Sequence, residues 1–497
     1  MLWAFAAVQP LLDVLGDTPE FFVARGNTRA DILLLAFGLA LLPPSAMFLL
    51  ELTLLRLPRA RWALHLLLVA GLTGVIALQV LGDVWPGGPA VPIALAAVAG
   101  VAGAWLYAGR GGVRSFLTVL TPAPAVFLAI FLLLSPVAEL VLPQDDVSAA
   151  SAEGGGAPVV MVVFDELAGG SLMDRRLQID ARRYPNFAEL ARDSTWYRNS
   201  TTVDYATERA VPALLTGARA GGDSLPIASD HPRNLFTLLG GRYTLDVRET
   251  ATELCPESLC GERARKEGGD RLRSLVDDLS VVSLRLLLPD DLADDLPSVD
   301  ATFEGFRDQG GGAAASVRVR SGIPQSAFDD RPRQFSRFLS RIDDSGARPR
   351  LSFLHLAMPH WPWQYLPSGR QYATDTSRIP GIEGSSWVDD PYLAQQGYQR
   401  YLLQLEYVDR LIGRLLTRLR EQGLYDRALL VVTADHGVSF RAGTPRRYAT
   451  RRNLPDIASV PLFIKGPGQR QGWVDDSPVQ TIDVVPTIVD LLDVSSD

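Results

Sequence analysis

The sequence predicts a multi-span helical membrane domain followed by an α/β domain on a mainly parallel sheet, and two patterns carry that prediction. Apolar residues make up 47% of the 497 residues and are concentrated before about residue 143, in segments close to the roughly 20 residues that cross a bilayer. After that point short apolar runs alternate with helical periodicities, as strands buried on both faces do when helices cover them.

In the first part, residues 1–143, the spans are Ile32–Leu55, Trp62–Leu81, Val91–Ala108 and Phe116–Leu142, each nearly free of charge. Consecutive segments that are apolar all round leave no face for water, which argues against buried core helices of a soluble domain. Met1–Leu15 is apolar but carries Gln9, Pro10 and Asp13, and it lacks the basic start and cleavage site of a signal peptide. It is read as a fifth, partial segment that dips into the membrane. Arg56, Arg59 and Arg61 lie between the first two spans and Arg110 and Arg114 between the last two, so those loops are expected in the cytoplasm. The exit at Asp145-Asp146 carries no cation, so the rest of the chain is expected outside the cytoplasm. No span has a charge near its centre, which argues against a transporter.

Residues 144–157, with Gly154-Gly155-Gly156, read as a flexible tether, and a catalytic domain fills 158–497. Val159–Phe164, Leu351–Leu356, Ala428–Thr433 and Val460–Ile464 have the length and apolar character of buried strands. Gln399–Gln422 repeats apolar residues at helical spacing and stops at Gly423, while Pro185–Asp193 and Ile482–Leu492 are shorter helices. Glu262–Ser321, charged and then rich in glycine, reads as an insertion or lid. The chain stops a few residues after the last helix, as a fragment of a longer protein would.

A net charge of −8, without a basic run bearing aromatics, sets nucleic-acid partners aside. Two cysteines, Cys255 and Cys260, cannot complete a structural zinc site but can close a disulfide loop outside the cytoplasm. Lysine is confined to Lys266 and Lys465, so a catalytic cation is expected to be arginine.

Two of the strands run out into polar pairs, Asp165-Glu166 and Asp435-His436, placing them at the carboxyl edge of the sheet where such folds bind ligands. An adjacent acidic pair alone is usually a solvated turn. Three carboxylates and an imidazole together suit a divalent cation such as Mg²⁺, Mn²⁺, Ca²⁺ or Zn²⁺. Thr207 stands where a loop becomes helical; a threonine there normally caps the helix, and a nucleophile would exploit the same helix dipole. His360, between Pro359 and Trp361-Pro362, is rigidly held, and His355 shares its segment.

The blocks Val-Val-Phe-Asp-Glu-Leu, Pro-Asn-Phe-Ala-Glu-Leu-Ala, Ala-Leu-Leu-Thr-Gly, Met-Pro-His-Trp-Pro, Thr-Ala-Asp-His-Gly and Val-Pro-Leu-Phe-Ile-Lys-Gly-Pro-Gly, in that order, resemble the sulfatase family of the alkaline phosphatase superfamily. The resemblance covers about Pro158 to Leu492 and implies an alkaline phosphatase-like α/β/α sandwich. By position it implies metal binding by Asp165, Glu166, Asp435 and His436, with Thr207 as nucleophile and fifth ligand and His360 on the substrate's anionic group. Sulfatases carry a cysteine or serine where this chain has Thr207, followed by proline and arginine two and four residues on; here Arg209 and Val211 stand there. Threonine is no substrate for conversion to formylglycine. A threonine nucleophile behind several spans instead resembles lipoteichoic acid synthases and phosphoethanolamine transferases, whose membrane parts usually have five spans. The expectation is a membrane enzyme acting on phosphate esters of lipids or envelope polymers, as hydrolase or transferase. A sulfuric ester hydrolase and a non-catalytic envelope scaffold are the alternatives.

Overall fold

The structure is a computed structural model, and it describes all residues except 86–87, 143–146, 151, 220, 223, 262–274, 276–278, 280–281, 284–330, 344–345, 373–378, 384 and 497. The insertion expected over Glu262–Ser321 thus falls almost wholly outside the described residues, as does part of the tether.

Among the described residues, four helical segments are long and apolar enough to cross a membrane: Arg29–Thr53, Pro58–Leu81, Ala90–Gly109 and Gly111–Leu134. The first three belong to α1 (Arg29–Thr53), α2 (Pro58–Val84) and α3 (Ala90–Gly109). Helix α1 opens with a reciprocal cap, in which the Thr28 hydroxyl accepts from the Asp31 amide at 3.2 Å and Asp31 accepts from the Thr28 amide at 2.9 Å. Leu42, Leu67, Val98 and Trp105 point outward, each at least 66% exposed, so the surface of these helices suits lipid. The fourth segment ends at Leu134 rather than at the expected Leu142, since Ser135-Pro136 turns the chain into a separate short helix, Ala138–Val141. Ala4–Gly16 is apolar and helical but too short to span; Val8, Leu11 and Leu15 pack with Ile32 and Leu35 of α1 and with Phe131.

The remaining part is built on a seven-stranded sheet: β1 (Val159–Asp165), β2 (Thr195–Tyr197), β3 (Thr244–Arg248), β4 (Arg350–Pro359), β5 (Leu429–Ala434), β6 (Leu462–Lys465) and β7 (Trp473–Asp475). Their order across the sheet is β7-β2-β6-β5-β1-β4-β3. The four consecutive strands β3, β4, β1 and β5, from one edge to the middle of the sheet, are parallel as expected, whereas β6 is antiparallel to β5 and to β2. A parallel β6 would need a crossover that returns the chain to the far edge. The segment after β5 stays at the carboxyl edge, with only the short helix Leu454–Ala458, and therefore re-enters the sheet from that side.

Alternate strand residues feed two cores. Val160, Val162 and Phe164 of β1 face α4 (Pro185–Asp193), α6 (Arg331–Arg341) and α7 (Pro391–Glu421); α7 contributes Leu405, Val408, Ile412 and Leu415. Val159, Met161 and Val163 face α5 (Thr207–Thr216) and α8 (Val484–Leu491), through Val211, Leu214, Val484 and Ile488. The domain is therefore an α/β/α sandwich. Cys255 and Cys260 are joined in a disulfide, as expected.

Candidate metal centre

The carboxyl ends of β1, β4 and β5 meet the start of α5, and the polar residues singled out in the sequence converge there. Asp165 ends β1 at a register slip against β4, where it pairs with Pro359. Glu166 follows with φ 61°, an uncommon conformation for a residue with a side chain, which costs about 1–3 kcal/mol unless its surroundings impose it. Here they do. The Tyr401 hydroxyl donates to the Glu166 carbonyl at 3.0 Å, and Arg446 Nη1 donates to both carboxylate oxygens at 2.6 and 2.8 Å. This turn lets neighbouring residues, which on a continuing strand would point apart, enter one site.

Thr207 is the first helical residue of α5, not its cap; its hydroxyl donates to Asp435 Oδ2 at 2.8 Å and lies 3.3 Å from His436 Nε2. The loop is held instead by Asp204, which accepts from the Ala206 amide at 3.0 Å and from Arg209 Nε at 2.9 Å. His436 Nδ1 is 2.9 Å from the Gly437 carbonyl and so carries its proton there, leaving Nε2 as a lone pair toward Thr207 and, at 3.8 Å, Asp165. His360 Nδ1 is likewise bound to the Trp361 carbonyl, and its Nε2 lies 3.3 Å from Glu166 Oε1 and 3.3 Å from Arg447 Nη1. Buried Arg331 fixes the His360 loop by donating to the Ala357, His360 and Pro362 carbonyls at 2.7 to 2.9 Å.

Three residues outside the expected set complete the site. His355, inside β4, brings Nε2 to 3.7 Å from Asp435 Oδ2. Arg446 holds Glu166, and Arg447 runs through the centre: its Nη2 is 2.6 Å from His436 Nε2 and 3.4 Å from the Thr207 hydroxyl, and its Nε is 3.4 Å from Glu166 Oε1. Their signal in the sequence was a bare Arg-Arg pair in a loop, indistinguishable from surface charge.

Asp165, Glu166, Thr207, His355, His360, Asp435, His436, Arg446 and Arg447 are all buried. Burial, reinforced by Asp435, pushes the Asp165 carboxyl well above the usual range. Burial acts on Glu166 too, but Arg446, His360 and Arg447 outweigh it and hold its carboxyl down at about 2. Asp435 is also held low against burial, by His436, His355 and Arg447. Burial pushes His360 down to about 3, so it is neutral at pH 7 and its contact with Glu166 is not an ion pair.

The donor set fits a divalent cation. Asp165 is fully buried with neither oxygen hydrogen-bonded, an arrangement that is costly for a carboxylate without a cation. Asp165, His355 and Asp435, and equally Asp165, Glu166 and His360, offer ligand atoms within 4.8 Å of one another.

Residues 328–494 match the sulfatase family model, a stretch that contains His355, His360, Asp435, His436, Arg446 and Arg447. A sulfatase from Formosa agariphila is 26% identical over 113 residues, 23% of this chain and 22% of that protein, so the chain spans about a fifth of the length of the curated relatives it matches. Among solved structures, the phosphonate monoester hydrolase SpPMH from Silicibacter pomeroyi is 21% identical, with 68% of this chain and 74% of that one covered at a TM-score of 0.44. The C-terminal periplasmic domain of EcEptC from Escherichia coli, solved in complex with Zn, is 16% identical, with 71% and 88% covered at a TM-score of 0.41. The matched stretch supplies the β4 and β5 side of the site; Asp165, Glu166 and Thr207 precede it.

Proposed function

We propose that this protein is a membrane-anchored, metal-dependent enzyme whose external domain cleaves or transfers phosphate esters of lipids or envelope polymers, with Thr207 as nucleophile. The observation that carries this reading is the Thr207 hydroxyl itself: buried at the start of α5, 2.8 Å from the carboxylate of Asp435 and 3.4 Å from the guanidinium of Arg447. An acceptor for its proton and a cation for an incoming anion thus flank one oxygen.

Asp165, Glu166, Asp435 and His436, with Thr207, would hold the cation, which when bound lowers the hydroxyl's pKa and offsets phosphoryl charge. The residues do the rest. Asp435 Oδ2 takes the Thr207 proton as Oγ1 bonds to phosphorus and the ester oxygen leaves. Arg447 and the amide end of α5 draw the phosphoryl oxygens into line. His360 and Glu166 fix the guanidinium from behind. Water or an acceptor alcohol then releases the phosphothreonine, giving hydrolysis or transfer.

The outward apolar faces of the four long helices support anchoring in a bilayer, and the arginine-bearing loops support an external catalytic domain. Sulfate ester hydrolysis is the second reading, favoured by the sulfatase match; a threonine hydroxyl cannot supply the aldehyde hydrate that sulfatases use. Incubation with a phosphodiester lipid should leave a phosphate adduct on Thr207, located by mass spectrometry, and Thr207→Ala should abolish turnover while Thr207→Ser keeps part of it. Efficient aryl sulfate cleavage by the parent, or full phosphodiesterase activity in Thr207→Ala, overturns the proposal.

A further inference from the structure

Three helix ends meet at the end of the membrane bundle away from the catalytic domain. Glu51 lies in the last turn of α1, Arg61, Trp62 and His65 in the first turns of α2, and Tyr107 in the last turn of α3. Helices α2 and α3 touch closely enough to bring them together: a Cβ on Gly100 would lie 2.4 Å from the Ala70 carbonyl, so only glycine fits the seam. His65 joins the three helices. Its Nδ1 is 2.8 Å from Glu51 Oε1 and its Nε2 is 3.0 Å from the Tyr107 hydroxyl, while the Trp62 ring stacks on it at 5.7 Å.

That network satisfies the histidine but not its neighbours. The second Glu51 oxygen has Arg61 Nε at 4.0 Å, too far for a hydrogen bond, and the Arg61 side chain is 44% exposed. Beside them is a cavity of about 260 Å³ lined by Glu51, Leu55, Pro58, Arg61, Trp62 and His65. Glu51 is 22 residues along α1 from Arg29, roughly 33 Å at helical rise, and the chain just before α1 packs against the catalytic domain through Val23, Leu225 and Ile227. The cavity therefore opens at the opposite membrane face, among the arginines expected in the cytoplasm.

We infer that this cavity binds the headgroup of a zwitterionic aminophospholipid from the leaflet opposite the catalytic domain. The inference rests on the reading that α1, α2 and α3 span the bilayer. A cation and a carboxylate held a few ångströms apart without closing on each other match a phosphate and an ammonium on one short linker. Arg61 takes the phosphate. Glu51 Oε2 accepts from the ammonium, whose charge also rests against the Trp62 face. A purely anionic headgroup meets repulsion from Glu51, and a quaternary ammonium has no N–H to give it. Leu55 and Pro58 offer an apolar wall to the first carbons of the lipid.

The full-length protein, delipidated in detergent and titrated with phosphatidylethanolamine, phosphatidylcholine or phosphatidylglycerol of the same chains, tests this by native mass spectrometry. The parent should retain phosphatidylethanolamine best, and Glu51→Gln and Arg61→Gln should each retain it roughly tenfold less, the effect of one lost charge-assisted contact, while Glu51→Gln retains phosphatidylglycerol better than the parent does. Glu51→Gln keeps the shape and the hydrogen bond to His65, and unchanged phosphodiester turnover shows that each variant is folded. Displacement of the lipid by low concentrations of free phosphoethanolamine would make the ligand a soluble headgroup and overturn the lipid assignment. Equal retention of all three lipids by a parent that resists carbonate extraction overturns the site alone. A parent that carbonate extracts overturns the membrane reading and this site with it.

Discussion

Asp165 is the side chain whose environment makes least sense without a cation. It is fully buried, its two oxygens lack hydrogen bonds, and Asp435 adds repulsion to the cost of burial. In Asp165→Asn the amide removes that charge, so under chelation the variant should melt no lower than the parent. Addition of Mn²⁺ should raise the parent's melting temperature and leave the variant's nearly unchanged, because binding to the native state stabilises in proportion to affinity. Thermal melts with and without chelator check both halves; an equal metal-induced shift in the two proteins removes Asp165 from the ligand set. Of the site, the residues legible in the sequence were Thr207, where a loop becomes helical, and those at strand ends, since an apolar run that stops at a polar pair reveals both its strand and its edge. His355 was not legible as a site residue: five residues before His360 and inside an apolar strand, it reads as a core histidine. Arg446 and Arg447 reach the site through a loop whose path no periodicity encodes.

At the scale of elements, long buried strands were legible and edge strands were not. Thr244–Arg248 and Trp473–Asp475 are short and partly polar, because each has a neighbour on one side only. Helix α7 begins at Pro391 rather than the expected Gln399: Asp390 caps it by accepting from the Tyr392 and Leu393 amides, and proline suits the first turn. Gly397 masked this start. It is small because the Trp387 ring occupies its side, 2.2 Å from where a Cβ would be, and not because the helix breaks. The short helix Glu20–Ala24 offers a pH test. Burial pushes the Glu20 carboxyl up to about 7 from 4.5, with Glu208 of α5 adding repulsion while its own backbone and Arg209 oppose it. The folded state therefore favours the protonated acid; its stabilisation is complete below about pH 4.5 and is lost as pH rises through about 7. Hydrogen exchange at the Phe21, Phe22 and Val23 amides, corrected for intrinsic rates, should accelerate over that window in the parent and stay flat in Glu20→Gln. The same acceleration in the variant would place the titrating group elsewhere.

For the whole molecule the decisive question is on which side of the proposed membrane spans the candidate metal centre lies. The apolar spans and their arginine loops were legible because a bilayer constrains every residue along a span, whereas the contact between the two halves was not: Val23 on Leu225 and Ile227 joins residues two hundred positions apart without a local pattern. Those loops predict that a phosphatase reporter fused after Arg59 is inactive and one fused after Asp146 is active on intact cells. The disulfide gives an independent reading of the same topology. Cys255 and Cys260 are the chain's two cysteines, and they are bonded to each other, a state that persists in an oxidising compartment and is rare in the cytoplasm. Protein isolated from cells with thiols trapped at lysis should therefore resist maleimide labelling until a reductant is added. The two measurements must agree, since one reads the tether and the other the folded domain. An active reporter after Arg59, together with immediate labelling of both cysteines, would invert the expected topology and put the candidate site on the cytoplasmic side.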